Sequence, residues 1–428
     1  MKRRTFVKGL GAAALSTAVA GTGRTSYAAN ANENLVIGVM GCSRGLTVCK
    51  DFLQEGARVA YVCDPDEERR NRAKDITNAG KAVADFREIL DDAAVDAVVI
   101  APTDHWHGPM AIMACEAGKH VYVEKPCAHN IREGRLMIEA ARRANRVMQV
   151  GSQSRSTQVL KNGIQLVREG AIGDVLIAKA WNSQKRADIG HAESSEPPAG
   201  FDYDLWVGPA PMRAYQSNCH HYTWHWWYDF GTGDAGNDGV HELDIALWAL
   251  GVETHPSKVS GYGAKMFFED DQQFPDSQYV TFEYPQAGGK LKSLVYEHRI
   301  WTPYTQQGFE NANAFYGTNG YMILAKGRGW RMFGPKDELL KEEQGGFSVP
   351  EHIDDFVNAI RAGGRPSADI EIGHRAATLA HLANILARTG KGSFRFDPEN
   401  ERFVDDPEAN AMVSRTYREG HWAVPQGV

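Results

Sequence analysis

Charge-free hydrophobic runs of membrane-spanning length are missing from this 428-residue chain. The longest apolar stretch without a charge, Gly9 to Ala20, is about a dozen residues, where a bilayer needs about twenty. No stable membrane anchor is therefore expected. Cysteine is sparse as well. The six present (Cys42, Cys49, Cys63, Cys115, Cys127, Cys219) form no CxxC pair and no zinc spacing, and five fall within one stretch, so they read as buried thiols rather than as a disulfide framework. Positive charge is also in deficit. The formal net charge is −7, and the first thirty residues hold five cations (Lys2, Arg3, Arg4, Lys8, Arg24) and no acid, so the remainder carries −7 − 5 = −12. A surface of that sign gives no electrostatic support to a nucleic-acid partner. Repeats, low-complexity segments and solvated charge blocks are absent.

The basic head has a pattern of its own. MKRRTFVKG precedes the short apolar run, and Ser26-Tyr27-Ala28 follows it as a small-x-small cleavage site. The adjacent arginines resemble the twin-arginine export motif, whose pathway carries folded proteins. Residues 1–29 are thus expected to be a signal peptide that engages the twin-arginine translocation machinery, with the mature protein exported to a bacterial periplasm. Folding in the cytoplasm before export fits the lack of a disulfide pattern.

From Asn34 onward, short β-branched runs (LVIGVMG, ARVAYVCD, AVDAVVIAP, KHVYVEKP, RVMQVG) alternate with amphipathic helical stretches. Such alternation predicts a parallel, doubly wound α/β domain over 34–152. After Ser152 the strands take on antiparallel character (VLIAKAWN, SKVSGYGAKMFFE, QYVTFEY, KLKSLVYEHR, GYMILAKG), which predicts a second α/β domain over 153–345. One helix is expected there, from Asp234 to Leu250. Helices at His352–Arg361 and His374–Arg388, within a final segment 346–428, are expected to pack back toward the first domain.

Gly41-Cys42-Ser43-Arg44-Gly45 follows the first strand and opens a helix, a context that places a pyrophosphate at a helix N-terminus. The fingerprint is shortened, with Ser43 near the place of the second glycine. Asp64 closes the next strand about twenty residues later, where a carboxylate accepts both ribose hydroxyls and repels a 2′-phosphate. NAD is accordingly favoured over NADP.

The stretch PTDHWHGPMAIMACEAGKHVYVEKP, then EGAIGDV, WHWWYDFGTGDAGNDGVHELDIALWAL and RPSADIEIGHRAATLAHLANI resemble the glucose-fructose oxidoreductase and inositol dehydrogenase (Gfo/Idh/MocA) family. The resemblance covers nearly the whole chain after residue 34. It implies an N-terminal Rossmann domain and a C-terminal domain on an open, mostly antiparallel sheet, together with an NAD-dependent oxidoreductase acting on a sugar, polyol or glycoside. The lysine of Glu124-Lys125-Pro126 would sit beside nicotinamide and the reacting carbinol. Pro102, Thr103, His107, Glu124 and Gln153 would line the cofactor, and Trp106 and Asp238 the substrate. Trp224 and Trp226, from an aromatic-rich run, can stack on a sugar face or equally be core. His241 is the expected general base, an imidazole titrating near working pH. On a 3.6-residue helix Asp234, Asn237, Asp238, His241 and Asp244 share an arc of about 120°, the polar stripe of such a site.

One position departs from the family. Its pattern Asp-x-Gly-x-His-x-x-Asp reads here Asn237-Asp238-Gly239-Val240-His241-Glu242-Leu243-Asp244, with Asn in place of the catalytic Asp. Either Asp238 or Asp234 compensates, or Asn237 orients a hydroxyl; the last is expected, and Asn237→Asp is then expected to preserve or raise sugar oxidation. His220, His221 and His225 cluster in sequence, but no Cys or carboxylate spacing completes a metal site, so no metal is expected. Outside the cytoplasm free NAD is scarce, which implies a tightly bound cofactor recycled in place. Two further functions remain open: a glycosidase like the family's NAD-dependent N-acetylgalactosaminidases, using transient oxidation and elimination, and a sugar-binding protein without turnover. The exposed sheet face typical of the family implies a homo-oligomer.

Overall fold

The computed structural model describes residues 34–428. The expected leader at 1–29 lies outside them. Among the described residues no helix is long and apolar enough to cross a membrane.

The first sheet is parallel throughout. Its strands β1 (Val36–Met40), β2 (Arg58–Cys63), β3 (Lys81–Val83), β4 (Ala97–Ile100), β5 (His120–Val123) and β6 (Met148–Val150) lie in the order β3-β2-β1-β4-β5-β6. β3, only three residues long, carries too little periodicity to be read from sequence. The connecting helices are α1 (Arg44–Gln54), α2 (Glu67–Thr77), α3 (Arg87–Asp91), α4 (Asp104–Glu116) and α5 (Ile131–Ala144). Near-continuous apolar strands such as β4, AVVI, are buried on both faces by these helices. The chain reverses direction in the sheet between β1 and β4, and there the carboxyl ends of the strands open a crevice.

The second sheet has ten strands, twice the number read from sequence: β7 (Val175–Asn182), β8 (Lys258–Ala264), β9 (Ser277–Pro285), β10 (Leu291–Arg299), β11 (Asn311–Gly317), β12 (Tyr321–Ala325), β13 (Gly329–Phe333), β14 (Leu339–Gln344), β15 (Ser393–Asp397) and β16 (Arg402–Phe403). All pairs are antiparallel except β7 with β10. Helices α6 (Gln158–Arg168), α7 (Tyr203–Val207) and α8 (Val240–Leu250) belong to this part of the chain, followed by α9 (Val349–Ala362) and α10 (Ile370–Thr389). One face of the sheet packs on α8 and α10 around Leu243, Leu247, Phe282, Tyr296 and Phe315. α9 returns to α1 through Phe356 against Phe52, and α10 reaches α5.

The helix expected from Asp234 begins differently. Ala235–Gly239 form a π-turn and only Val240–Leu250 are α-helical. The wider turn shifts the residues before it by about 100° against a 3.6-residue repeat. Asp244 accordingly leaves the expected stripe and is buried against Arg155, whose Nε donates to both carboxylate oxygens at 2.8 and 2.9 Å. All six cysteines are free and buried.

Candidate active site

A cavity of about 630 Å³ runs from the carboxyl ends of β1, β2, β4 and β5 to the π-turn before α8. Gly41, Ser43, Arg44, Asp64, Pro102, Thr103, Trp106, His107, Glu124, Lys125, Gln153, Trp224, Asn237, Asp238 and His241 all line it. Fifteen residues singled out in seven separate segments thus meet in one space.

At the end made by the first sheet, Gly41 has φ +92°, and a Cβ there would lie 2.4 Å from the Ala101 carbonyl oxygen. The turn into α1 therefore demands glycine and brings bare backbone to the crevice. Ser43 makes no side-chain cap and no acid occupies the first turn of α1, so this helix start is free to face an anion. Gly45 does not reach the cavity. It seats α1 on β1, because an added Cβ would come within 3.0 Å of Val39. Asp64 lines the cavity and accepts the Cys42 amide at 2.8 Å and the Asp66 amide at 3.0 Å, so it braces the loop as well as facing the crevice. Asp66 rather than Asp64 caps α2.

His107 is neutral. Burial draws it down to about 4, and its Nδ1–H donates to the Pro126 carbonyl at 2.7 Å, leaving Nε2 a buried acceptor with no protein partner among the described residues. His105 is a packing residue instead: its Nε2–H donates to the Trp206 and Val207 carbonyls, each at 3.1 Å. Glu124 accepts from Arg44 Nε at 3.1 Å and from Gln153 Nε2 at 3.4 Å, tying the loop before α1 to the end of β5. An orphan acceptor, a glycine cradle, an uncapped helix start and Asp64 fit a dinucleotide.

A strap from the second domain, residues 183–231, crosses this end. The Glu67 backbone amide donates to the Gly200 carbonyl at 3.0 Å, the Asp202 amide to the Pro65 carbonyl at 3.1 Å, and Trp106 Nε1 to the Trp206 carbonyl at 3.0 Å. Trp206, His221 and Tyr222 of the strap enter the cavity wall. Trp106, expected at substrate, has its indole N–H committed to the strap and its ring packed on Phe86 and Trp422. It is a wall.

At the other end, Lys125 follows β5 across a cis bond to Pro126. Its Nζ donates to the Asn237 carbonyl at 2.6 Å and to Asn237 Oδ1 at 3.2 Å. His241 lines the cavity one turn on, and burial, then Lys326 and Lys125, hold it well below the ordinary imidazole value, so it is a neutral base. For Asp238 burial acts upward, but Lys326, Arg186 and Lys125 outweigh it and keep the carboxylate ionised. Lys326, from the end of β12, sits 2.7 Å from Glu242 and 3.9 Å from Asp238; burial opposes its charge, and these two acids outweigh that. Arg186 binds both Asp234 and Asp238. On α4, Asp104 accepts the Thr232 hydroxyl at 2.6 Å and is pushed up to about 7 by burial.

Trp224 stacks on His225 at 3.6 Å, and both line the cavity. Trp226 does not. It points the other way from the same short turn, 3% exposed, into Phe268 and Ile300. Sequence reading missed Arg186, Tyr222 and Lys326. Lys326 ends a legible strand, but nothing in its spacing says which acids it meets. The two-histidine run also gains a carboxylate that spacing could not supply: His221 Nε2 lies 3.1 Å from Asp66, with His220 beside it and Arg69 4.0 Å from the same oxygen. A second buried group, His255, His374 and Glu401, is closed by mutual hydrogen bonds and by Arg135.

The pattern described as "Oxidoreductase family, NAD-binding Rossmann fold" (GFO_IDH_MocA) matches residues 34–152, and its companion, "Oxidoreductase family, C-terminal alpha/beta domain", matches 178–284 and 317–424. The chain is similar to inositol 2-dehydrogenase 2 of Saccharopolyspora erythraea, 30% identical over 260 residues that cover 58% of this chain and 62% of the relative. It is similar also to a glycosyl hydrolase family 109 protein of Shewanella baltica, 26% identical over 42% of this chain and 45% of that protein. Each match spans less than two thirds of the relative. Among solved structures, levoglucosan dehydrogenase in complex with NADH and levoglucosan shares the fold at TM-score 0.64 and 19% identity, covering 85% of this chain and 99% of that one.

Proposed function

The chain belongs to the Gfo/Idh/MocA oxidoreductase family, and we propose that it oxidises a carbinol of a sugar, polyol or glycoside with NAD as hydride acceptor. The observation that carries this reading is the meeting of Lys125, Asn237 and His241 with the Gly41–Arg44 loop and Asp64 in one cavity. The relatives' names support the substrate class.

The Gly41 turn and the start of α1 would hold the pyrophosphate, Asp64 the ribose hydroxyls, and His107, Glu124 and Gln153 the nicotinamide end. When bound, nicotinamide supplies the acceptor for the hydride leaving the carbinol carbon. Lys125 keeps two of its N–H bonds on Asn237 and turns the third toward the carbinol oxygen, opposing the charge that grows there. His241, held neutral, takes the hydroxyl proton, so the C–H electron pair and the O–H proton part company and a carbonyl remains. Trp224 offers an aromatic face to the sugar ring.

The hydrogen bonds that tie the strap, residues 183–231, to Pro65, Glu67 and Trp106 support a cofactor that stays bound between turnovers. Retention suits the export that the twin-arginine motif supports: the protein would reach the periplasm with NAD in place. Exposed Ile177, Tyr262 and Tyr316 on the open side of the second sheet support self-association. The glycosyl hydrolase likeness favours one second reading, in which the same oxidation is transient, the aglycone is eliminated and the hydride returns.

The experiment is to purify the exported protein, extract any nicotinamide, and add sugars singly while following absorbance of the reduced form. Stoichiometric NAD and net reduction by a sugar support the dehydrogenase reading. Cleavage of a chromogenic glycoside without net reduction selects the glycosidase. Sugar binding with neither response overturns both.

A further inference from the structure

Asn237 has two partners of opposite character. The Lys125 ammonium donates to its Oδ1 at 3.2 Å, and its own Nδ2 donates to Asp234 Oδ1 at 3.3 Å. An ammonium only donates and a carboxylate only accepts, so the amide orientation is determined by its neighbours. No carboxylate at 237 can make both contacts. An aspartate there would face Asp234 oxygen to oxygen, and one of the two would have to take up a proton.

Asp234 is built in firmly. It is 1% exposed and accepts Asn182 Nδ2 at 2.6 Å, Arg186 Nε at 2.9 Å and Arg186 Nη2 at 2.8 Å besides Asn237. It does not line the cavity, and it makes no side-chain cap to the turn that follows it. Toward the cavity it has two contacts, the Asn237 amide that meets Lys125 and the Arg186 guanidinium that also binds Asp238. Residues 234 and 237, three apart where the chain enters this turn, are in side-chain contact beneath Lys125.

Resting on the dehydrogenase reading, we propose that Asp234 is a positioning residue for Lys125, acting through Asn237: the carboxylate usual at 237 has moved three residues earlier, and the asparagine relays it. Asn237 is thus no loss of function. Its amide accepts from the ammonium and donates to the displaced carboxylate, which an ionised aspartate at 237 could not do. This also reverses the expectation that Asn237→Asp preserves activity.

The test is a double-mutant cycle on the NAD-loaded protein with Asp234→Asn, Asn237→Asp and the double exchange. Other charges and titrating groups facing Lys125 are Asp104 and His107 on α4, His225 on the strap, and Asp238 and His241 at the head of α8. All are left unchanged. Each single variant should lower kcat by about tenfold to a hundredfold with little change in KM, and the double should recover most of the loss. Multiplied losses in the double would overturn the proposal.

A readout independent of turnover is the pH dependence of Lys125 amine labelling, followed by mass spectrometry. Removing the anion in Asp234→Asn should move the labelling midpoint to lower pH by about half a unit to one unit, and Asn237→Asp should move it up. Midpoints that stay put would mean that Asp234 only packs the turn. Should the protein oxidise no sugar, the functional reading fails while labelling still decides the relay. Should Asp234→Asn not fold, Asn237→Ala, which cuts the amide link and leaves Asp234 in place, should lower the midpoint instead, and a midpoint that stays put overturns the relay.

Discussion

The two ends of the cavity are built on different plans. At the dinucleotide end, strand, glycine turn, helix, strand and aspartate succeed one another between Val36 and Asp64. At the catalytic end, Lys125, Arg186, Asn237 and Lys326 come from segments up to two hundred residues apart, and Lys326 and Arg186 are held by acids they meet only in the fold. Local order suffices for a backbone cradle, which asks only for a turn of the right shape. A proton-handling site asks for balanced charges in low dielectric, and that balance needs partners from several elements. Substitutions at the two ends should accordingly fail in different ways.

The largest effect expected lies under the catalytic turn. Asp244→Ala strands Arg155, 10% exposed, without its buried partner, and should cost about 3–5 kcal/mol in urea unfolding. A loss below about 1 kcal/mol would mean that the pair is not what seats α8. Next, Lys125→Met should lower kcat by about 10²–10⁴ while NADH titration of extracted protein is unchanged. Equal damage to both would erase the distinction between the ends. Asp64→Ala should do the reverse, weakening NAD by about tenfold and narrowing the preference over NADP because Arg69 lines the same wall, with single-turnover chemistry intact.

Smaller effects sharpen the contrast within the catalytic end. His241 is kept neutral by burial and by the cations Lys326 and Lys125, so its protonation should not limit kcat/KM near pH 6.5, the ordinary imidazole value. Losing a nearby cation raises an imidazole's affinity for its proton. Lys326→Met should therefore move the acid limb to higher pH, and an unmoved limb would remove His241 as the base. Smallest is the tryptophan pair: Trp224→Leu should raise KM for a sugar a few-fold, whereas Trp226→Leu should lower thermal stability and leave KM alone.

Legibility followed the same division. The doubly wound order, the cradle and Asp64 could be read from sequence because each is a short-range pattern. β3 could not, being three residues long, nor could five strands of the second sheet, where short edge strands such as β14, LLKEEQ, carry little apolar alternation. Lys125 and His241 were found through family motifs. A 3.6-residue repeat puts Asp234 and Asn237 on one face, but spacing does not say that their side chains bond or that Lys125 meets them. Trp226 was misplaced because consecutive aromatics on a short turn face opposite ways, and spacing does not say which side is core.

Both ends must act on one carbon if the cavity is a dehydrogenase site. A sugar that reduces the bound cofactor, deuterated at its carbinol carbons and mixed with the protein in a single turnover, tests this directly. The account predicts deuterium on the extracted reduced nicotinamide, abolished in Lys125→Met with cofactor still bound. Label lost to water, or retained in unchanged sugar while NAD remains oxidised, would contradict it.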